Sequence, residues 1–388
     1  MSVEDVNLLH SLGRTIARDI RAPFGMPPFD RAAMDGYAIS SKCTEKASGD
    51  RPVILPVTGE IQAGRESVSG HAGGGAILIM TGSVMPPHCD RVVKLEDVDS
   101  FTERGQEKIR MVHPVEPGEN VAFRNEDFSR GKLVAGRGQR IDGPVFAMLA
   151  CIGKEKVRVF KKPRLAVIGT GDELKSPGQA RARGEIYDSN SHAVYAQALR
   201  FGGQPHMLGI ARDTGASLVR FMKEGLRYDM MVLSGGVSEG KYDLVLSVLK
   251  KLGVRTLFWK IAIKPGKPAF FGRKGRTVIL GLPGYPVSSY MNFEILGGTA
   301  LAKMLGQPSS GGPAIMACLG VAMKNSGDRD MLVRVRLECQ NGENRVFPHP
   351  NQKSGVFTSV LESPAFFILK RGERKKKGET IVLHFFAR

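Results

Sequence analysis

The sequence predicts a multidomain protein of α/β plus β class. Its 388 residues exceed what one hydrophobic core organises, so two to four domains are expected. Between residues 163 and 305, strand-period and helix-period runs alternate, the pattern of a βα-repeating, mainly parallel sheet. On either side the chain turns to short strand-like runs broken by Gly, Pro and Asp.

Taken in order, Leu9, Leu12, Ile16 and Ile20 recur at spacings of three and four, which predicts an opening helix that Pro23 stops. From 52 to 136, runs such as 92–95 and 108–112 predict a β-rich lobe. A helix over 144–152, a strand-like run over 154–160 and a linker at Lys161-Lys162-Pro163 follow. The α/β region reads as strands at 165–168, 230–233 and 277–280, with helices at 191–201, 218–226, 244–252 and 287–305. After the break at 306–313, strand patterns return at 331–337 and 380–386, a small β domain.

Composition narrows the functional classes. Subtracting 38 acidic from 56 basic residues leaves +18, so the whole molecule attracts anions. The basic residues are spread along the chain, aromatics are 7%, and no nucleic-acid motif occurs, which argues against a nucleic-acid partner. The dense run at 370–377 lies between strand-like segments and reads as a solvated turn. No stretch approaches the roughly 20 apolar residues of a membrane span. The start lacks the basic and apolar regions of a secretory signal, and a cytoplasmic location is the expectation. The five cysteines are scattered, without a Cys-x-x-Cys pair, and read as free thiols.

Within the α/β region the strand at 230–233 runs into Ser234-Gly235-Gly236-Val237-Ser238, where glycines let backbone N–H groups approach a phosphate. A tight turn is the plain alternative. A second glycine turn, Gly169-Thr170-Gly171-Asp172-Glu173, follows the strand at 165–168. Open α/β sheets bind ligands at the carboxyl ends of their strands, so both turns can share one crevice. Asp172, Glu173, Asp188, Asp213 and Asp243 recur at these loops. Carboxylates beside a phosphate call for a hard cation such as Mg2+ between them, although Asp188 and Asp213 read equally well as helix N-caps. Lys264-Pro265-Gly266-Lys267-Pro268 holds two ammonium groups on a backbone stiffened by prolines, which suits an oxyanion. Gly281-Leu282-Pro283-Gly284-Tyr285-Pro286 forms another fixed strand-to-helix corner. The histidines show no ligand pair, and neither His nor Cys is assigned a catalytic role.

Together these turns resemble, in order, the molybdopterin molybdenumtransferase family, which includes the E domain of gephyrin. The resemblance runs from about residue 10 to the C-terminus. It covers Pro28-Phe29-Asp30-Arg31-Ala32-Ala33-Met34-Asp35-Gly36-Tyr37-Ala38, Gly59 to Gly64, Thr81 to Pro86, Asp90, Glu96 and Arg124-Asn125-Glu126-Asp127. It continues through Thr170 to Leu174, Tyr187 to Asn190, Ser234 to Ser238, Asp243, Lys264 to Pro268 and Leu282 to Pro286.

The resemblance implies a discontinuous N-terminal domain (1–48 and 137–162), an inserted β-rich domain (49–136), an α/β molybdopterin-binding domain (163–306) and a C-terminal β barrel (313–388), assembled as a homodimer. The implied reaction inserts molybdenum from molybdate into adenylyl-molybdopterin, with Mg2+ and release of AMP. The pterin supplies the metal-binding sulfurs. The upstream adenylyltransferase is a candidate partner. By similarity, Asp243, Glu173, Asp213, Asp35, Thr81 and Asp127 are the catalytic candidates, with Asp243 and Glu173 holding the metal. Gly171, Asp172, Asp188, Ser234, Gly235, Gly236, Ser238, Lys264, Lys267, Pro283, Tyr285 and Pro286 are the substrate-binding candidates. Four positions depart from the family pattern: Ala32 for Ser, Asn125 for Gly, Gly169 for Ser and Tyr285 for Asn. The last bears on substrate preference and metal choice, and a family member specialised for tungstate is an alternative. A pterin-binding scaffold of the same fold is the competing class.

Overall fold

The computed structural model describes residues 2–65, 74–237, 244–308, 314–340 and 343–386. The chain forms two compact units, one built from Met1–Arg18, Arg137–Phe146 and Glu155–Arg388, the other from Asp19–Gly136 and Ala147–Lys154.

The first unit contains a six-stranded sheet in the order Gln204–Ala211, Arg164–Thr170, Met230–Ser234, Thr277–Leu282, Phe270–Lys274, Arg255–Trp259. The first four strands are mutually parallel, and the last two are added by antiparallel pairing, so that only Phe270–Lys274 runs against the rest. Burial on both faces explains why the central strands are apolar without alternation: Leu165 through Ile168 and Met230 through Leu233 are all fully buried. Successive residues feed two different cores. Ala166, Ile168, Met231 and Leu233 pack with Leu218, Met222, Val245 and Val248 of helices Gly215–Gly225 and Val245–Lys251. Leu165, Val167, Met230 and Val232 pack with Val194, Ala198 and Leu301 of helices Ser189–Arg200 and Gly298–Met304. The expected helix over 287–305 is one run in three pieces: α over Pro286–Asn292, a wider π turn over Phe293–Gly297, and α again over Gly298–Met304.

The C-terminal strands close on themselves. Asp330–Gln340 pairs with both Glu343–Pro348 and Ala365–Leu369, and Ala314–Leu319 and Thr380–Phe385 complete a five-stranded barrel. Its interior is apolar, with Val333, Val335, Val346, Phe367 and Leu383 buried. The short strand Ile263–Lys264 joins the edge of this sheet, parallel to the start of Asp330–Gln340. Within 370–377, Lys375 lies 3.2 Å from Glu373 and 2.6 Å from Glu379, which closes the basic run into a turn and holds the Lys375 ammonium above its usual range.

The opening segment corrects the expected helix. Val3–Asn7 is a strand, antiparallel to Lys156–Phe160, followed by a single 3-10 turn at Leu8–His10. Gly13 has φ +75°, a left-handed conformation that breaks any helical run. Leu9 and Leu12 are exposed at 76% and 58%, whereas Ile16 and Ile20 are buried, so the spaced apolar residues never form one stripe.

The second unit is built on a six-stranded sheet in the order Arg91–Lys94, Gly36–Ile39, Ala76–Ile79, Val53–Ile61, Gln106–Met111, Asp99–Glu103. Asn125 has φ +68°. Asparagine is among the few side chains that tolerate this region, which explains how it stands where the family usually has glycine. Its amide packs over Gly25, where a β-carbon would collide with it.

Candidate functional site

A cleft of about 650 Å³ opens at the carboxyl ends of the parallel strands. Three strand ends build it: Arg164–Thr170 delivers Thr170, Gly171 and Glu173, Met230–Ser234 delivers Ser234 and the glycine turn, and Thr277–Leu282 delivers Pro283, Gly284, Tyr285 and Pro286. Asp188 and Asp213 come from the loops that open the two flanking helices, and Asn190 from the first turn of helix Ser189–Arg200.

The glycines are required by close approach. Gly235 and Gly236 have φ +102° and +67°. A β-carbon at Gly235 would lie 2.6 Å from the Thr170 carbonyl oxygen, and one at Gly236 would lie 2.5 Å from Val245 Cγ2. Gly171, at φ +148°, lets the Glu173 carboxylate fold back over the backbone, where a β-carbon would meet Glu173 Oε2 at 2.5 Å. Thr170 Oγ1 donates to the Ser234 carbonyl at 3.2 Å, and the Gly235 N–H donates to the Leu282 carbonyl at 2.9 Å, so the three turns brace one another. The Asn190 side-chain amide donates to the Gly284 carbonyl at 2.9 Å and fixes the Pro283–Pro286 corner.

The carboxylates have distinct surroundings. Asp188 is buried and caps helix Ser189–Arg200, accepting the Ser191 N–H at 3.0 Å. At Gly169, where the family usually has Ser, a β-carbon would approach Asp188 Oδ2 to 2.6 Å. Asp213 lines the cleft while Thr214, its neighbour, caps helix Gly215–Gly225. Asp172 is not among the lining residues; its carboxylate accepts the Asp213 N–H at 3.2 Å. Ser234 Oγ is buried with no partner among the described residues.

Of the substrate-binding candidates, Gly171, Asp188, Ser234, Gly235, Gly236, Pro283, Tyr285 and Pro286 meet in this cleft. Ser238 and Asp243 lie outside the described residues. Lys264 and Lys267 are exposed and do not line the cleft, but Pro268 of the same loop does. The Gly266 carbonyl accepts from Asn292 Nδ2 at 2.9 Å, and the glycine is packed too tightly on Asn292 for a side chain. Thr170, Asn190 and Tyr187 line the cleft as well, beyond the residues the sequence nominates, and each lies within a motif of the family resemblance.

Asp35, Thr81 and Asp127 belong to the second unit. Asp35 accepts from the Thr81 N–H at 2.7 Å and from its hydroxyl at 2.8 Å. These bonds, the backbone one foremost, hold the Asp35 carboxyl below its ordinary range. Asp127 is exposed and donates its N–H to the Met26 carbonyl at 3.0 Å.

No group of three or more His, Cys, Asp or Glu side chains able to hold a metal occurs among the described residues. Mg2+ bound through a phosphate ligand needs only one or two carboxylates, with phosphate and water oxygens completing the shell. The exposed Glu173 carboxylate beside the glycine turns fits that donor set.

A mainly parallel sheet with paired glycine turns at a carboxylate-bearing cleft is an α/β domain of the doubly wound class, joined to β domains. Three family descriptions match the chain: the MoeA N-terminal region (domain I and II) at residues 1–153, a "probable molybdopterin binding domain" at 166–303, and the MoeA C-terminal region (domain IV) at 317–386. The chain is 32% identical to the molybdopterin molybdenumtransferase of Bacillus subtilis over 97% of its own length and 88% of the relative's. It is 30% identical to that of Haemophilus influenzae, over 99% and 94%. Solved structures of a molybdopterin biosynthesis MoeA protein from Pyrococcus horikoshii superpose with TM-scores of 0.82 and 0.81, at 34% and 30% identity. These cover 99% of this chain and 94% and 95% of those chains. The chain belongs to the molybdopterin molybdenumtransferase family, transferases of molybdenum cofactor biosynthesis. No helix among the described residues is long and apolar enough to cross a membrane.

Proposed function

We propose that this protein inserts molybdenum from molybdate into adenylyl-molybdopterin and releases AMP. The observation that supports this most is the convergence of the Thr170–Glu173 and Ser234–Gly236 turns on one cleft, where side-chain-free glycine backbone leaves room for a phosphate and a carboxylate stands beside it. Cleavage of a pyrophosphate link needs dispersed negative charge to be stabilised more than it needs a covalent nucleophile. In this reading Glu173 and Asp243 hold Mg2+, which supplies charge neutralisation at the phosphates. The glycine turn cradles the phosphate, and Lys264 and Lys267 attract the anionic ligand. Asp213, which lines the cleft, would orient water. Asp35, Thr81 and Asp127 act from the second unit within a homodimer. The cleft's exposed Tyr187 and Tyr285 rings suit a planar heterocycle.

The test is incubation of the purified chain with adenylyl-molybdopterin, Mg2+ and molybdate, following AMP, with tungstate in parallel. Oxyanion-dependent AMP release that Asp243→Asn abolishes, without loss of fold, is expected. Adenylyl-molybdopterin that binds without ever yielding AMP would instead identify a pterin-binding scaffold.

A further inference from the structure

The chain has one tryptophan, Trp259, and it stands behind the cleft rather than in it. Its indole N–H donates to the carbonyl of Val237, the residue that ends the described part of the glycine turn, at 3.1 Å. Val237 is buried, lines the cleft, and packs on Gly281, where a β-carbon would lie 2.6 Å from Val237 Cγ1. One residue further, Lys260 adopts φ +71°, a left-handed conformation that lysine disfavours, and its ammonium lies 4.4 Å from the indole centroid. This left-handed residue turns the chain so that the Lys260 N–H donates to Ala269 O at 2.8 Å and the Ile261 N–H to Lys267 O at 3.0 Å. The Trp259 indole and the backbone of the two residues after it thus tie the glycine turn, through Val237, to the loop that carries Lys264 and Lys267. On its other side that loop is pinned by Asn292 at the Gly266 carbonyl.

We infer that Trp259 is a positioning residue that locks the 234–237 turn and the 264–268 loop into one anion-binding unit, and that its indole senses occupancy of the cleft. The physical basis is that a hydrogen bond from a half-buried indole to a loop carbonyl fixes direction as well as distance, so displacement of either loop is transmitted to the other. The inference rests on the proposed function, in which both loops contact the phosphate-bearing ligand.

The test uses the full-length protein and adenylyl-molybdopterin as probe, with affinity from equilibrium dialysis and tryptophan emission recorded in parallel. Trp259→Phe keeps an aromatic ring but removes the N–H donor together with the rest of the pyrrole ring. It should weaken binding about five- to tenfold, the scale of one net hydrogen bond, while the thermal unfolding midpoint stays near wild type. Combined with Lys267→Ala, the loss should be smaller than the product of the single losses, because both act through one loop. Wild-type emission should change saturably, with the midpoint of the dialysis curve. Wild-type affinity in Trp259→Phe, strictly multiplicative losses, or emission unmoved by saturating probe would each overturn the inference. Were Trp259→Phe to misfold, the emission titration of the unaltered protein would still decide. Lysine variants that bind like wild type would instead refute the assignment of the loop itself, a failure distinguishable because it does not involve Trp259.

Discussion

Thr81 makes two hydrogen bonds to a single oxygen of Asp35, from its N–H at 2.7 Å and its hydroxyl at 2.8 Å, joining two motifs of the second unit. The backbone bond is the larger cause of the lowered Asp35 pKa and the hydroxyl the smaller, with slight burial opposing both. Thr81→Val keeps the backbone donor, so it should reverse only the smaller part of the shift, as read by carboxyl-carbon NMR titration. A carboxyl whose pKa is depressed on folding contributes stability that is present above the unfolded pKa and lost as pH falls through the folded one. Acid sensitivity in the range below the ordinary Asp pKa is therefore expected from this pair. An Asp35 that titrates normally in the wild type would refute the pairing.

Gly235→Ala tests the glycine turn. Its β-carbon would sit 2.6 Å from the Thr170 carbonyl oxygen and 2.8 Å from Thr170 Oγ1, at a φ of +102° that alanine disfavours. Backbone cannot swing aside as a side chain tip can. A loss on the order of 1–3 kcal/mol is expected, with weaker ligand binding, measured by urea midpoint and dialysis. An alanine variant as stable as wild type would show that the turn has room it is not credited with.

Tyr285 occupies the N-cap of helix Pro286–Asn292 without making a side-chain cap bond, and its ring is 66% exposed at the cleft. Asparagine, usual in the family here, is a strong N-cap. Because the Val287 N–H already donates to Ser354 O, a cap would reach the next N–H, that of Ser288. Tyr285→Asn should therefore stabilise the domain by about 0.5–1 kcal/mol and change the ratio of molybdate to tungstate turnover. An unchanged ratio would leave the ring without a role in selectivity.

If the proposed dimer builds its site from two subunits, inactive Asp243→Asn and Asp127→Asn chains should complement each other. Random exchange makes about half the dimers mixed, each with one intact site, so about a quarter of wild-type sites should return. AMP release from exchanged subunits, with mixed dimers verified by two affinity tags, is the measurement. Verified mixed dimers that stay inactive would rule out sharing.

The sequence by itself determined what is local. The unbroken apolar runs at 165–168 and 230–233 announce strands buried on both faces, because only a covered parallel sheet needs no polar face. That the glycine turns after them share one cleft was legible too, since strand direction puts their ends on one edge. Local spacing misled at Leu9, Leu12, Ile16 and Ile20, whose periodicity suits a helix but whose burial is set by pairing with distant strands. The two strands joined by antiparallel pairing, Phe270–Lys274 and Arg255–Trp259 at the edge, likewise depend on a partner.

Only the tertiary structure decided the rest of the site. Asn190 meets Gly284 across 94 residues and Trp259 meets Val237 across 22, and no spacing rule encodes such contacts. Asp172 and Glu173 are adjacent in one motif, yet Glu173 lines the cleft while Asp172 turns to the Asp213 N–H. The division arises because neighbouring side chains leave the backbone in different directions, and which direction meets ligand, solvent or another loop is fixed only when the strands and loops are packed together.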